Sequence, residues 1–252
     1  MQRFNLKGKV GIVTGGNGGI GAGIARGLLE CGATVVIAGR NAAKNDAAVA
    51  ELGKVGPVSA FVMDVTKEED CYSVVREAVK RHGRLDILVN NAGIGSGKAP
   101  DELTLPEWHK VIDTNLTSAF VMSKAAHPEM KKTGGGKIIN IGSMASYIGG
   151  ARWTVYGPTK AAIIQLSRNC ASAWASDNIQ VNTILPGYID TAMTKPLQSM
   201  AEFHTAALRR TAAGRIGTPD DFAGIAAFLA SPASDFVTGA DIPVDGGLLW
   251  GA

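Results

Sequence analysis

Six short runs along the chain are almost continuously apolar: Val10–Thr14, Thr34–Ala38, Val58–Val62, Leu85–Val89, Gly136–Ile141 and Ile179–Ile184. A sheet wet on one face would alternate apolar with polar residues. Unbroken runs instead indicate burial on both faces, the condition of a parallel sheet covered by helices. Ala-rich stretches with helical spacing lie between them, Ile20 to Cys31 and Glu68 to Arg81 among them. Strand–helix alternation with right-handed crossovers predicts an α/β fold, a doubly wound parallel sheet flanked by helices on both faces. Ligands of such sheets sit beyond the carboxyl ends of the strands, so the residues after each run are the ones to read for chemistry. No repeat, low-complexity tract or linker interrupts the pattern, and residues 1–252 are expected to form one domain.

Composition narrows the class. Hydrophobic residues make up 46% of the 252 and charged residues 19%, enough apolar material for one large core. The formal net charge of +3 is spread out; Lys131-Lys132 and Arg209-Arg210 are pairs, and no basic patch of the kind that binds nucleic acid is present. Cys31, Cys71 and Cys170 have neither metal spacing nor a paired framework, so they read as reduced thiols, with no metal site. The first nine residues lack the apolar stretch of a signal peptide, and no apolar run approaches the ~18 residues of a membrane span. The expectation is a cytoplasmic protein with neither membrane nor nucleic-acid partner.

After the first run comes Thr14-Gly15-Gly16-Asn17-Gly18-Gly19-Ile20-Gly21, leading into a helix. Glycines let a backbone turn tightly and approach a ligand closely, and a helix N-terminus offers free N–H groups and a positive dipole end to a phosphate. The loop alone fits a plain strand–helix turn as well, because its glycine spacing departs from the usual dinucleotide fingerprint. Tyr156 and Lys160 lie four apart and share one helix face. An ammonium beside a phenol favours the phenolate, which makes Tyr156 a candidate acid/base. Ser143 follows the fifth run at the carboxyl edge of the sheet, where its hydroxyl can stabilise charge on a substrate oxygen. Pro158 is tolerated in a first turn, which predicts a helix starting near Tyr156.

Taken in order, Thr14-Gly-x-x-x-Gly19-x-Gly21, Asn90-Asn91-Ala92-Gly93, Asn115, Ser143, Tyr156-x-x-x-Lys160 and Pro186-Gly187 resemble the motifs of the short-chain dehydrogenase/reductase family, from about Lys7 to Gly247. Local details resemble the gluconate and 2-deoxygluconate dehydrogenases and, equally, the 3-oxoacyl-acyl-carrier-protein reductases. The resemblance implies a Rossmann-like fold and an NAD(P)-dependent oxidoreductase moving hydride between nicotinamide and a small carbonyl or secondary alcohol. It implies catalytic roles for Asn115, Ser143, Tyr156 and Lys160, with Lys160 also on the nicotinamide ribose and Asn115 holding a relay water. It implies cofactor contacts from Thr14, Gly15, Asn17, Gly19, Ile20 and Gly21, and from Asn91, Ala92 and Gly93. Asp64-Val65 resembles the pair that meets the adenine, with Asp64 as the cap of a helix near Thr66 the alternative reading. In Pro186-Gly187-Tyr188-Ile189-Asp190-Thr191, the Ile189 amide and Thr191 hydroxyl would hold the carboxamide.

The second run ends at Gly39-Arg40-Asn41, where an NAD enzyme usually places a carboxylate for the ribose hydroxyls. A guanidinium there suits a 2′-phosphate, so NADP is the expected cofactor, with NAD as the alternative if Arg40 only stacks on adenine or faces solvent. By resemblance, about 192–213 covers the substrate, carrying Lys195, His204, Arg209 and Arg210, with Arg152, Trp153, Tyr188 and Met193 as further pocket candidates, though each reads first as a surface or packing residue. Asp241 to Gly247 resembles the last strand and turn near a subunit contact, implying a homotetramer, or a dimer as second choice. A cofactor-sensing regulator and a lyase on the same scaffold remain the competing classes.

Overall fold

The computed structural model describes residues 2–251, with only the backbone described at Leu197 and Phe203. Its elements alternate as the pattern predicts: β1 (Val10–Thr14), α1 (Gly19–Glu30), β2 (Thr34–Gly39), α2 (Ala42–Leu52), β3 (Val58–Val62), α3 (Glu68–His82), β4 (Ile87–Asn90), α4 (Leu105–Ile112), α5 (Ser118–Lys132), β5 (Gly136–Ile141), α6 (Tyr156–Trp174), β6 (Ile179–Pro186), α7 (Lys195–Gln198), α8 (Ala201–Arg210), α9 (Ala223–Ala230) and β7 (Asp241–Val244). The strands form one sheet of order β3-β2-β1-β4-β5-β6-β7, and every pairing is parallel. The fourth strand starts at Ile87, two residues after the predicted Leu85. Asp86 ahead of it is occupied as a brace, accepting from Lys9 Nζ at 3.0 Å, the Val10 amide at 3.0 Å and Arg84 Nε at 2.7 Å. The sixth strand runs on to Pro186, two residues beyond the predicted end.

The continuous apolar runs are explained by two cores, one on each face of the sheet. Val13, Val35, Ile37, Ile87 and Val89 pack with Ile24, Leu28, Phe222 and Leu229 from α1 and the α9 region. Their neighbours Ile12, Val36, Ala38 and Leu88 point the other way, against Val74, Met122 and Met130 of α3 and α5. Alternate residues therefore face opposite ways, as the pleat requires, and both faces are dry. No described helix is long and apolar enough to cross a membrane.

The strand order reverses between β1 and β4, which opens a crevice at their carboxyl ends. A buried polar thread fixes α6 beside it. Asn90 Nδ2 donates to Asn140 Oδ1 at 2.8 Å, Asn140 Nδ2 to Ser167 Oγ at 2.8 Å, and Thr183 Oγ1 to Ser167 Oγ at 2.8 Å. Ser167 lies two turns after Lys160 on the same helix, so the bonds that set its register also set where Tyr156 and Lys160 stand.

Candidate active site

At the crevice lies a cleft of about 460 Å³ whose walls come from the ends of every strand except β7. The helix α1 begins at Gly19 with Gly18 as its cap and no side chain bonded to its first amides. Gly15 has φ +64, and a Cβ on Gly21 would stand 2.4 Å from the Gly15 carbonyl oxygen, so the loop can fold this tightly only with glycine there. Thr14 joins this loop to the one after β4. Its Oγ1 accepts from the Asn91 and Ala92 amides, both at 3.0 Å, while Asn91 Nδ2 donates back to the Thr14 carbonyl at 2.9 Å. These residues fit a pyrophosphate: bare helix amides, glycine walls and no carboxylate within the Gly15–Gly21 loop itself.

Most of the residues singled out from the sequence meet in this one cleft. Gly15, Asn17, Gly19, Ile20, Arg40, Asn41, Asp64, Val65, Asn91, Ala92, Gly93, Ser143, Tyr156, Lys160, Pro186, Gly187, Ile189 and Thr191 all line it. Thr14, Gly21 and Asn115 stand behind its walls instead. Asn115 sits in a single π-helical turn, Asp113–Thr117, inserted between α4 and α5. Its side chain accepts from the Ile94 amide at 2.8 Å, donates to the Ile94 carbonyl at 2.9 Å, and reaches Thr159 Oγ1 at 3.3 Å. Thr114 from the same turn faces the cleft.

Helix α6 starts at Tyr156, as Pro158 predicts. Lys160 is 5% exposed, and its Nζ donates to the Ile141 carbonyl at 2.7 Å and lies 5.7 Å from the centre of the Tyr156 ring. Burial lowers the Lys160 pKa to about 8. The Tyr156 phenol departs from the simple expectation: burial pushes its pKa up, and a hydrogen bond with Ser143 pulls it back. Ser143 Oγ also accepts from the Ala145 amide at 3.1 Å, which fixes the hydroxyl at the start of a short helical turn.

The adenosine end is basic. Arg40 and Lys44 are both exposed and both line the cleft. Lys44 was not singled out from the sequence; its place in the first turn of the helix that follows β2, three residues after the cap Asn41, is the signal that would have found it. Asp64 shapes a turn, its Oδ1 accepting from the Thr66 amide at 3.0 Å and Thr66 Oγ1 at 2.8 Å. The helix itself begins at Glu68, two residues later than a cap at Asp64 implies. The Thr66 bonds, with Arg40 and Lys67 nearby, hold the Asp64 carboxyl below the ordinary range.

The expected substrate-side cations do not line the cleft. Lys195 Nζ pairs with Asp190 at 3.3 Å, and Arg152 is bonded to the Gly97 carbonyl and to Glu102. Arg209 and Arg210 flank a separate outer groove with Glu202 and Gly251, and the His204 ring lies edge-on to Tyr188 at 6.1 Å. Trp153 and Tyr188 also stay off its walls, whereas Met193 contributes to them.

Residues 15–249 match the family model described as Enoyl-(Acyl carrier protein) reductase. The chain is 40% identical to the 2-dehydro-3-deoxy-D-gluconate 5-dehydrogenase of Bacillus subtilis (strain 168), over 98% of this chain and 96% of that one. It is 39% identical to a 3-oxoacyl-(acyl-carrier-protein) reductase of Vibrio cholerae, over 97% and 99% respectively. The solved structure of a gluconate 5-dehydrogenase from Burkholderia cenocepacia J2315, in complex with NADP and tartrate, superposes with a TM-score of 0.95 at 38% identity, over 99% of this chain and 98% of that one. With its sheet order, glycine loop and Ser143–Tyr156–Lys160 grouping, the chain belongs to the short-chain dehydrogenase/reductase family and is an NAD(P)-dependent oxidoreductase acting on CH–OH groups.

Proposed function

We propose that the protein transfers hydride reversibly between NADP(H) and the secondary hydroxyl or ketone of a polyhydroxy acid. The observation that carries the proposal is the grouping of Ser143, Tyr156 and Lys160 at one end of a cleft whose other end holds Arg40 and Lys44. When bound, the nicotinamide supplies or accepts the hydride. Ser143 Oγ holds the substrate oxygen beside the Tyr156 hydroxyl, and Tyr156 gives that oxygen a proton in reduction and takes it back in oxidation. Lys160 stabilises the phenolate by charge and holds the nicotinamide ribose, so that proton transfer and cofactor placement depend on one side chain. Asn115, through Ile94, shapes the floor of the cleft and supports a relay water. Ile189 and Thr191 hold the carboxamide, and the α1 N-terminus with Gly15, Gly19, Ile20 and Asn17 takes the pyrophosphate.

A guanidinium and an ammonium where a ribose-binding carboxylate would otherwise stand support NADP over NAD. The sugar-acid reading is supported by the Bacillus subtilis relative and by the NADP and tartrate in the Burkholderia cenocepacia structure. A second reading, a 3-oxoacyl reductase, is favoured by Ile94 and Met193 in the cleft and by the Vibrio cholerae relative. We further propose that 1–252 acts as one catalytic domain in which about 192–213 covers the substrate. The assembly is a cytoplasmic homotetramer; the unbridged Cys31, Cys71 and Cys170 suit a reducing compartment, and exposed Phe236 and Trp250 suit contacts between subunits.

The test is turnover followed by nicotinamide absorbance, with NADP+ and a panel of aldonic and deoxy-aldonic acids, and with NADPH and 3-oxoacyl thioesters. NADP-dependent oxidation of a sugar acid, lost about 10²–10⁴-fold in Tyr156→Phe, is expected. Turnover confined to the thioesters moves the assignment to the second reading. Undiminished turnover in Tyr156→Phe refutes the mechanism.

A further inference from the structure

The adenosine end of the cleft contains a bonded side chain that the reaction scheme does not use. Asn45, in the second turn of α2, is 1% exposed. A buried amide is costly unless both its ends are bonded, and here both are. Its Oδ1 accepts from Asn17 Nδ2 at 2.7 Å; its Nδ2 donates to the Gly39 carbonyl at 2.9 Å and reaches the Phe61 carbonyl at 3.4 Å. One side chain thus ties the glycine loop to the ends of β2 and β3, three walls of the same end of the cleft. The bond also runs over Gly39: a Cβ placed there would stand 2.6 Å from Asn17 Nδ2 and 2.9 Å from Asn45 Oδ1.

We propose that Asn45 is a positioning residue for the dinucleotide, holding Asn17 so that the glycine loop stands in its binding shape before the cofactor arrives, and that the Asn17–Asn45 clasp fills the space a side chain at position 39 would need. The proposal rests on the nicotinamide-cofactor reading above. A loop carrying Gly15, Gly16, Gly18 and Gly19 has more backbone freedom to lose on binding than any other composition, and a bond that orders it beforehand removes part of that loss. The clasp is made between protein groups only, so it acts on the shared diphosphate part of the ligand. Loss of the clasp therefore weakens NADPH and NADH by the same factor. Arg40 and Lys44, which face a 2′-phosphate, would instead change their ratio.

The experiment is equilibrium binding of NADPH and of NADH to cofactor-free wild type, Asn17→Ala, Asn45→Ala and the double variant, by nicotinamide fluorescence. Asn17→Ala alters a loop side chain outside the core and tests the bond even if Asn45→Ala lowers stability. Each single variant is expected to raise both dissociation constants about tenfold, or ~1.4 kcal/mol, and Asn45→Ala, which touches no ligand, is expected to change kcat at saturating cofactor less than threefold. The double variant is expected to be no weaker than the poorer single one, because both remove the same bond. The proposal is overturned if the single variants bind within twofold of wild type, if their effects multiply in the double variant, or if NADPH alone is weakened. Wild type that binds neither cofactor refutes the underlying cofactor reading, a result distinct from variants that bind as well as wild type.

Discussion

Lys160 combines a catalytic task with an unfavourable location, and the two can be separated by Lys160→Met. Burial lowers its pKa from 10.5 to about 8. At ~1.4 kcal/mol for each tenfold change in acidity, that fall corresponds to about 3 kcal/mol by which the folded protein disfavours the ammonium. At neutral pH the amine is protonated in both the folded and the unfolded chain, so the whole cost is borne there. As pH rises from about 8 to about 10.5, the folded chain releases the proton while the unfolded chain still holds it, and stability rises with pH across that window. Methionine occupies similar space without charge, but it gives up the ammonium's bond to the Ile141 carbonyl, worth about 2 kcal/mol for a charged donor. Lys160→Met should therefore be more stable than wild type by about 1 kcal/mol at neutral pH, or roughly 2–4 °C in Tm for a chain of this length. Its activity should be nearly abolished. Calorimetry of the cofactor-free proteins at neutral pH and again near the top of the window checks both parts. A variant less stable than wild type at neutral pH, or a difference that does not shrink as pH rises, would refute the reasoning.

Other perturbations have equally direct readouts. Arg40→Ala and Lys44→Ala should each weaken NADPH by about 1.5–3 kcal/mol, the worth of a hydrogen bond to a charged group, and leave NADH unchanged; isothermal titration with both cofactors measures this. Gly39→Asp alone should weaken both cofactors because its side chain meets the Asn17–Asn45 bond, whereas the same change with Asn17→Gly should gain NADH; a gain from Gly39→Asp alone contradicts the packing. Asp86→Asn should destabilise the protein by about 1.5–3 kcal/mol, since it weakens the hydrogen bonds that a buried carboxylate accepts from the half-exposed Lys9 and Arg84, and urea unfolding would show it. Asp86 lies at the opposite end of β4 from the cleft, so the cofactor affinity of the folded variant should stay at the wild-type value.

The sheet was legible because each strand is buried on both sides, so Val35-Val36-Ile37 or Ile87-Leu88-Val89 has no polar position to blur it. Boundaries moved where a polar neighbour took another role, as Asp86 did in bracing Lys9 and Arg84. The start of α6 was legible because Pro158 restricts where a helix can begin. The cleft-lining residues were legible as ordered motifs, yet the split between wall and support was not: Asn115 acts from behind through Ile94, which only the π-helical turn explains. Asn45 could not be found from sequence. An asparagine in an Ala-rich helix reads as solvent-facing until the fold places Asn17 and Gly39 against it. The basic residues of 192–213 take the surface placement that was their first reading, Lys195 paired with Asp190 and Arg209 and Arg210 at an outer groove, because charge on a short amphipathic helix turns outward unless a partner holds it in.

The π-helical turn at Asp113–Thr117 amounts to one residue more than a regular helix needs between α4 and α5. Since each residue of a helix advances the chain by about 100°, that one residue acts as a gear between two bodies. It lets α5 keep its register against the sheet while Thr114, inside the turn, faces the cleft. Shortening the turn by a single residue would restore ordinary helical bonding and swing α4 by roughly a quarter turn or more, carrying Thr114 away from the cleft without disturbing either core. Point substitution leaves the gear intact; a one-residue deletion would re-index the rim.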